Sequence, residues 1–330
     1  MDQALLGGVR VGTITELVGR AGVGKTQLGL QLCIAAAHYK RGSIYIDTEQ
    51  KLSVVRLQEM TRERWFQRAT TATNTTHHNN GGGGESTRTG SRNHVVVMED
   101  CLESVQRVLE NVSVHQPQSS SELLEVLSNV DEEISLAMQN SAPATNNNDH
   151  GRGSPTSGTS IKYPIQLMIL DSIAAPLQRE FTSGTAAQRA STLLQMAQIL
   201  KRIAQEWNIA IVVINQVGST QIDDSNLDSE GNSTKIDGRN GGKDGVFSTA
   251  ALGTAWHHCV STRLLLEHAQ DPHRVDSIND QVRQQYEIEN EAQGLERGKV
   301  RTATIVKSNV VAKHVIEFQV NKMGITGTLP

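Results

Sequence analysis

The sequence has no excess of positive charge, few cysteines and no long apolar run, and each absence excludes a class of protein. A formal net charge of −4 excludes a surface that binds polyanions over its whole area, so any nucleic-acid contact needs a local basic patch. Cys33, Cys101 and Cys259 are odd in number and far apart, which excludes a disulfide framework and suits a reducing compartment. No apolar run reaches the roughly 18 residues of a membrane span, and the first residues lack the pattern of a secretory signal.

Short apolar runs alternate with helical patterns, which predicts an α/β fold with a mostly parallel central sheet flanked by helices. The continuous apolar runs at 165–170 and 209–214 are typical of strands covered on both faces. The pattern ends in antiparallel strands near the C-terminus. We predict strands at 13–18, 43–47, 95–98, 165–170, 209–214, 262–267, 302–306 and 315–320, and helices at about 25–39, 52–65, 102–112, 122–139 and 186–207.

Four polar segments interrupt this pattern, at about 69–94, 140–160, 218–245 and 270–298. The first consists largely of Thr, Asn, His and Gly, so it offers almost no apolar side chains to a core and we expect it to be disordered. We interpret all four as insertions grown out of one domain. The prediction is therefore a single domain over 1–330.

A glycine-rich loop follows the first predicted strand and opens the first predicted helix. Residues 19–26 (GRAGVGKT) match the phosphate-binding pattern G-x-x-x-x-G-K-[ST] in full, in the strand–loop–helix context that the pattern requires. Glycines let backbone N–H groups surround phosphate oxygens, Lys25 reaches the β and γ phosphates, and Thr26 offers its hydroxyl to Mg²⁺. A glycine-rich turn that arose by chance is the alternative. The predicted ATP-binding residues here are Gly19, Arg20, Ala21, Gly22, Val23, Gly24, Lys25, Thr26 and Gln27.

Three further polar residues stand at the ends of predicted strands, where ligands of open α/β sheets collect. Asp171 ends the strand at 165–170 and is the candidate partner of Mg²⁺, although it could merely cap the next segment. Glu49 follows the strand at 43–47 and is the candidate general base for the water that attacks the γ-phosphate; the alternative is an exposed surface glutamate. Gln216 ends the strand at 209–214 and could hydrogen-bond the γ-phosphate, but a polar residue there could also simply begin a turn.

Together these motifs resemble the RecA-type ATPase core, and more narrowly the eukaryotic and archaeal RadA-like DNA-repair recombinases. The segments that carry the resemblance are GRAGVGKT (19–26), YIDTE (45–49), LDS (170–172) and NQV (215–217). The stretch AALGTAW (250–256), with STRL (261–264), is similar to the recombinase paralogues, and among them to the B paralogue. The resemblance implies ATP and Mg²⁺ as cofactors, Lys25, Glu49 and Gln216 as catalytic residues, and Arg56 as the arginine that packs on adenine.

The resemblance also implies partners and a location. It implies a nuclear protein of homologous-recombination repair that works with other recombinase paralogues and the main recombinase on single-stranded and branched DNA, with no membrane association. Two DNA-facing loops would follow Asp171 and Gln216. The candidate DNA-binding residues are Arg179, Arg189, Lys235, Arg239 and Lys243.

Two departures from the family weaken the expectation of strong DNA binding. The chain begins just before the phosphate loop, so we expect the small N-terminal helical domain of the family to be absent. From 217 to 247 the second loop carries three basic residues against six acidic ones, a poor composition for a polyanion site. We therefore expect weak or partner-dependent DNA binding.

Three functions remain open at this point. The leading one is a weak DNA-dependent ATPase that assists recombinase assembly on single-stranded DNA during double-strand-break repair. The second is an ATP-binding scaffold of a paralogue complex in which hydrolysis is dispensable. The third is a RecA-fold motor or switch unrelated to recombination.

Overall fold

A computed structural model of the chain describes residues 8–76, 90–141, 161–216, 252–268 and 300–327. Within them, nine strands form one sheet in the order β3-β2-β4-β5-β1-β6-β7-β8-β9. The strands from β3 to β6 pair in parallel, and β6 to β9 pair antiparallel. The predicted α/β architecture, with antiparallel strands at the C-terminal end, is confirmed.

The strands are β1 (Ile14–Gly19), β2 (Gly42–Asp47), β3 (Val112–His115), β4 (Ile165–Asp171), β5 (Ala210–Gln216), β6 (Thr262–His268), β7 (Val300–Ser308), β8 (Val315–Asn321) and β9 (Gly324–Gly327). The helices are α1 (Lys25–His38), α2 (Val54–Thr76), α3 (Gly90–Leu109), α4 (Ser120–Ser141), α5 (Ala174–Glu180), α6 (Ala186–Glu206) and α7 (Gly253–Cys259), with a short 3-10 helix at Ser183–Thr185. No helix among the described residues is long and apolar enough to cross a membrane.

The central strands β4 and β5 are largely apolar because both of their faces are covered. One core includes Ile44, Ile211 and residues of α4, α5, α6 and α7. The other includes Tyr45, Val212 and residues of α1 and α2, and it continues under β6, β7 and β8. Alternate residues of each strand therefore face opposite layers of helices.

The predicted strand at 95–98 is wrong, because these residues belong to α3. A run of four apolar residues is too short to show the period of a helix or of a strand, so it does not distinguish a buried helix segment from a strand. Cys101, Val105 and Val108 are buried at helical spacing, whereas Leu102 is 60% exposed.

The helix predicted over 102–112 ends at Leu109, and Val112 begins the edge strand β3, which sequence reasoning missed. The short elements α5, α7 and β9 were also missed. The first predicted insertion is partly wrong at its ends, because α2 runs to Thr76 and α3 starts at Gly90. Its centre (77–89), most of the segment at 140–160, and the segments at 218–245 and 270–298 lie outside the described residues.

Candidate nucleotide-binding site

The carboxyl ends of β1, β2, β4 and β5 meet at one edge of the sheet. Asp47 pairs in register with Asp171, and Gly19 pairs with Gln216. A cavity of about 450 Å³ opens at this edge. It is lined by Ala21, Gly22, Gly24, Lys25, Thr26, Gln27, Glu49, Arg56, Asp171 and Gln216 of the predicted set, and by Lys51, Ser172, Ile214 and Val320.

The glycine-rich loop connects β1 directly to α1. Gly22 and Gly24 adopt left-handed backbone angles, with φ of 80° and 102°, which a residue with a side chain rarely adopts. A Cβ on Gly24 would also lie 3.0 Å from a methyl carbon of Val320. No side chain caps the start of α1, and its first turn holds no acidic residue. Its first N–H groups and the positive end of its dipole are thus free to meet an anion.

Lys25 is 8% exposed and lies inside this loop. Its Nζ donates hydrogen bonds to the carbonyl oxygens of Gly19 and Arg20, at 2.8 Å each. Burial lowers the pKa of Lys25, although Asp171 and Glu49 act in the opposite direction. A cation is therefore held at the position where the β and γ phosphates of a bound nucleotide are expected.

Asp171, at the end of β4, is 6% exposed. Two hydroxyl groups donate hydrogen bonds to the same oxygen of its carboxylate. The hydroxyl of Thr26 donates to Oδ2 at 2.7 Å, and that of Tyr45 donates at 2.9 Å. Burial raises the pKa of Asp171 despite these two bonds, which lower it. The carboxylate is thus a buried charge with no cation of the described chain bonded to it.

The donor set of Thr26 and Asp171 fits Mg²⁺. Both side chains offer oxygen, which Mg²⁺ prefers, and the ion usually takes only one or two protein ligands besides phosphate and water. Among the described residues, no group of three or more His, Cys, Asp or Glu side chains could hold a metal ion. Tyr45, which orients Asp171, was not predicted, because its place in the apolar run SIYID suggests only a core residue.

Glu49 lies just after β2, beside a serine and a lysine that sequence reasoning did not single out. Ser172 Oγ donates to its Oε1 at 3.1 Å, and Lys51 forms an ion pair with its Oε2. Burial alone would raise the pKa of Glu49, but Lys51, Ser172 and Lys25 outweigh burial and lower it. The carboxylate is therefore ionised at neutral pH, and both of its oxygens already have a donor.

Arg56 and Gln216 close the two sides of the cavity. The guanidinium of Arg56 donates to Gln27 Oε1 at 2.8 Å and to the carbonyl oxygens of Asn321 and Lys322 at the end of β8. Gln216 is half-buried at the end of β5 and lines the cavity. The structure thus brings Arg56 and Gln216 to the same cavity as the predicted loop residues. Gly19, Arg20 and Val23 belong to the loop but do not line the cavity.

The predicted DNA-binding residues are not brought together in the same way. Arg179 is exposed in α5, and its guanidinium donates to the carbonyl oxygens of Gln118 (2.9 Å) and Thr48 (3.3 Å). Arg189 is half-exposed in α6. Lys235, Arg239 and Lys243 lie outside the described residues.

Comparison with known proteins identifies the family. The sequence model of the family described as Rad51 matches residues 1–78 and 127–293. The chain is 26% identical over 287 residues to DNA repair protein RAD51 homolog 2 of Homo sapiens, covering 83% of this chain and 60% of that protein. It is 25% identical over 273 residues to DNA repair protein XRCC3 of Bos taurus, covering 81% and 60%.

A plant relative is matched over a greater length. DNA repair protein XRCC3 homolog of Arabidopsis thaliana is 23% identical over 339 residues, covering 98% of this chain and 90% of the relative. The chain otherwise spans about 60% of the human and bovine relatives. Because the Rad51 model matches well over half of its residues, the chain belongs to the Rad51 family, and its predicted kinship with the RecA-type recombinase paralogues is confirmed.

Proposed function

We propose that this chain binds ATP with Mg²⁺ at the cavity and hydrolyses it slowly, in the nucleus, as a recombinase paralogue of homologous-recombination repair. Its task would be to assist assembly of the main recombinase on single-stranded DNA, together with other paralogues. The observation that carries this proposal is the single cavity into which the loop after β1 and the ends of β2, β4 and β5 all open. Relatives named DNA repair proteins support the biological setting.

Each residue has a task that follows from its position. The N–H groups at the start of α1 and the Lys25 ammonium bind phosphate oxygens. Thr26 and Asp171 would hold Mg²⁺, which neutralises phosphate charge when it is bound. Glu49 accepts a proton from the attacking water at a carboxylate oxygen, and Gln216 donates a hydrogen bond from its amide to the γ-phosphate. Positioning and charge stabilisation carry the reaction, with no covalent intermediate.

One observation favours the second candidate function, an ATP-binding scaffold that does not depend on hydrolysis. Both oxygens of Glu49 are engaged, by Ser172 and Lys51, and the pKa of this carboxyl is lowered. A carboxylate with a lowered pKa is a weaker general base, so slow turnover is expected. Binding of ATP, in contrast, requires nothing of Glu49.

Glu49→Gln separates the two functions. The variant should bind ATP with wild-type affinity and lose turnover by at least about 10²-fold, a typical contribution of general-base catalysis. If repair of double-strand breaks in cells fails with this variant, hydrolysis is required; if repair is intact, the scaffold function holds. Glu125→Gln, an exposed glutamate of α4, is the matched control. A wild-type chain that binds no ATP would overturn both proposals.

A further inference from the structure

A group of basic and aromatic side chains lies at the opposite edge of the sheet from the cavity. Helix α1 ends at His38 and β2 begins at Gly42, so the turn between them, Tyr39 to Arg41, lies at the amino ends of the parallel strands. The six residues of β2 separate this turn from Glu49 by roughly 20 Å. We call this surface the basic edge and define it by Tyr39, Lys40, Arg41, Arg68, Arg107, Lys162 and Tyr163.

Contacts between several elements assemble the basic edge. The N–H of Gly42 donates to the carbonyl oxygen of Pro164 at 2.9 Å, which brings Lys162 and Tyr163 beside the turn. The pKa of His38 is lowered by burial and then by the charges of Arg68 and Arg107. Those two arginines, from α2 and α3, therefore lie close to the end of α1.

Positive charge is in excess here, although the whole chain has a net charge of −4. Arg107 pairs with Glu103 at 2.6 Å, and Lys162 pairs with Glu110 at 2.7 Å. Within the described ranges, the side chains of Lys40, Arg41 and Arg68 pair with no carboxylate. Three cations thus face solvent without a counter-charge from the part of the chain that the structure describes.

An exposed aromatic ring stands among these cations. Tyr39 is 74% exposed, and its ring and the ring of His38 lie in a T-shaped arrangement with their centroids 5.4 Å apart. The chain has only four tyrosines, so the presence of both Tyr39 and the half-buried Tyr163 at one small surface is unusual for it. Tyr39 makes little contribution to a core, and most of its surface is exposed to solvent.

We propose that the basic edge is a binding surface for single-stranded nucleic acid, with Tyr39 stacking on a base and Lys40, Arg41 and Arg68 contacting phosphates. A cationic groove combined with an aromatic platform is the arrangement that binds single strands without sequence preference. An acidic protein segment would need the cations but not the exposed ring. The inference deepens the proposed function. It rests on that function only because it assumes that the chain works on single-stranded DNA.

The stacking contact is tested by comparing two ligands on the full chain at low salt. Fluorescence anisotropy measures the affinity for an oligothymidine of about 20 nucleotides and for a strand of equal length without bases. Tyr39→Ala should weaken the oligothymidine roughly 5- to 100-fold and leave the abasic strand unchanged. Tyr39→Phe, which keeps the ring, should retain wild-type affinity.

The charge contacts are tested by salt dependence. Lys40→Gln/Arg41→Gln removes two phosphate contacts, so the slope of log affinity against log salt should become less steep by about 1.4. Lys201→Gln/Lys313→Gln removes the same charge from two exposed positions elsewhere and should leave the slope unchanged. Far-ultraviolet circular dichroism checks that each variant is folded.

Three outcomes would overturn the inference. If both basic-edge variants bind oligothymidine as the wild type does, DNA is bound elsewhere and the proposed function stands. If the wild type binds the abasic strand as tightly as oligothymidine, the surface takes polyanions in general and Tyr39 does not stack. If the wild type binds ATP but no single strand, the inference fails while the nucleotide site stands.

Discussion

The buried carboxylate of Glu16 gives the most demanding test of the structure. Glu16 lies in the middle of β1, completely excluded from solvent. Asn215 Nδ2 and Trp256 Nε1 each donate to its Oε1 at 2.9 Å, and Arg263 Nε donates to its Oε2 at 2.6 Å. One carboxylate thus ties β5, α7 and β6 to the strand that leads into the phosphate loop.

Glu16→Gln is expected to lower the free energy of unfolding by about 3–5 kcal/mol, the usual cost of breaking a buried ion pair from one side. A glutamine amide has one acceptor oxygen and one donor nitrogen, so in either orientation at least one of the three donors meets another donor. A buried donor without an acceptor costs about 1–3 kcal/mol by itself. Arg263, whose side chain is only 13% exposed, also loses its carboxylate.

A double-mutant cycle shows whether the cost arises from this contact. Arg263→Met alone leaves the buried Glu16 side chain without its cationic partner and should cost about as much as Glu16→Gln. In the double variant the amide oxygen can face Asn215 and Trp256, while its nitrogen faces the thioether. The double variant should therefore lose less stability than the sum of the two single variants, by more than about 1 kcal/mol.

Urea unfolding followed by circular dichroism measures all three variants. Glu317→Gln, an exposed glutamate of β8, is the control and should change stability by no more than about 0.5 kcal/mol. The reasoning is refuted if Glu16→Gln costs less than about 1 kcal/mol, or if the two single effects are additive. Asn215, which bonds Glu16, directly precedes Gln216, so Glu16→Gln should also weaken ATP binding.

Three other predictions concern charges and a thiol. Burial raises the folded-state pKa of Asp171 above its unfolded value, so stability falls as the pH rises from the unfolded pKa to the folded one. At neutral pH, Asp171→Asn should therefore keep or raise the melting temperature without ligand, but abolish the stabilisation by MgATP, about 2.7 kcal/mol at 100 times Kd. Burial alone would raise the pKa of Glu49, but Lys51 helps to lower it. Lys51→Met should therefore lower the free energy of unfolding by at most about 1 kcal/mol at neutral pH. Urea unfolding should show that this difference vanishes as the pH falls through the folded-state pKa of Glu49. Burial raises the pKa of the Cys33 thiol to about 12, so an aromatic disulfide reagent should label Cys33 only after unfolding; fast labelling of the folded chain would contradict its burial.

Sequence reasoning worked where local pattern decides structure. The loop at 19–26 and the apolar runs of β4 and β5 are set by neighbours in the chain, because glycine conformations and burial on both faces leave a local mark. The same reasoning failed at 95–98 and at β3. The short apolar run at 95–98 belongs to a helix, and the four-residue edge strand β3 has too few residues to show a period.

Contacts across the fold could not be predicted from one sequence. The Tyr45 hydroxyl meets Asp171, which is 126 positions away, and Asn215 meets Glu16 across 199 positions. The local sequence around these residues does not indicate which residue each of them contacts. The ion pair of Lys51 with Glu49 spans only two positions, but the second donor to the same carboxylate, Ser172, follows β4 and is 123 positions away.

The loop after β1 is proposed to bind the phosphates of ATP. Calorimetric titration of ATP in the presence of Mg²⁺, into the wild type and into Lys25→Met, tests it most directly. We expect saturable binding of one nucleotide per wild-type chain and a loss of at least about tenfold in affinity for a folded Lys25→Met variant, since that change removes a charge-assisted phosphate contact. Equal affinities of the two proteins, or no binding by the wild type, would contradict it.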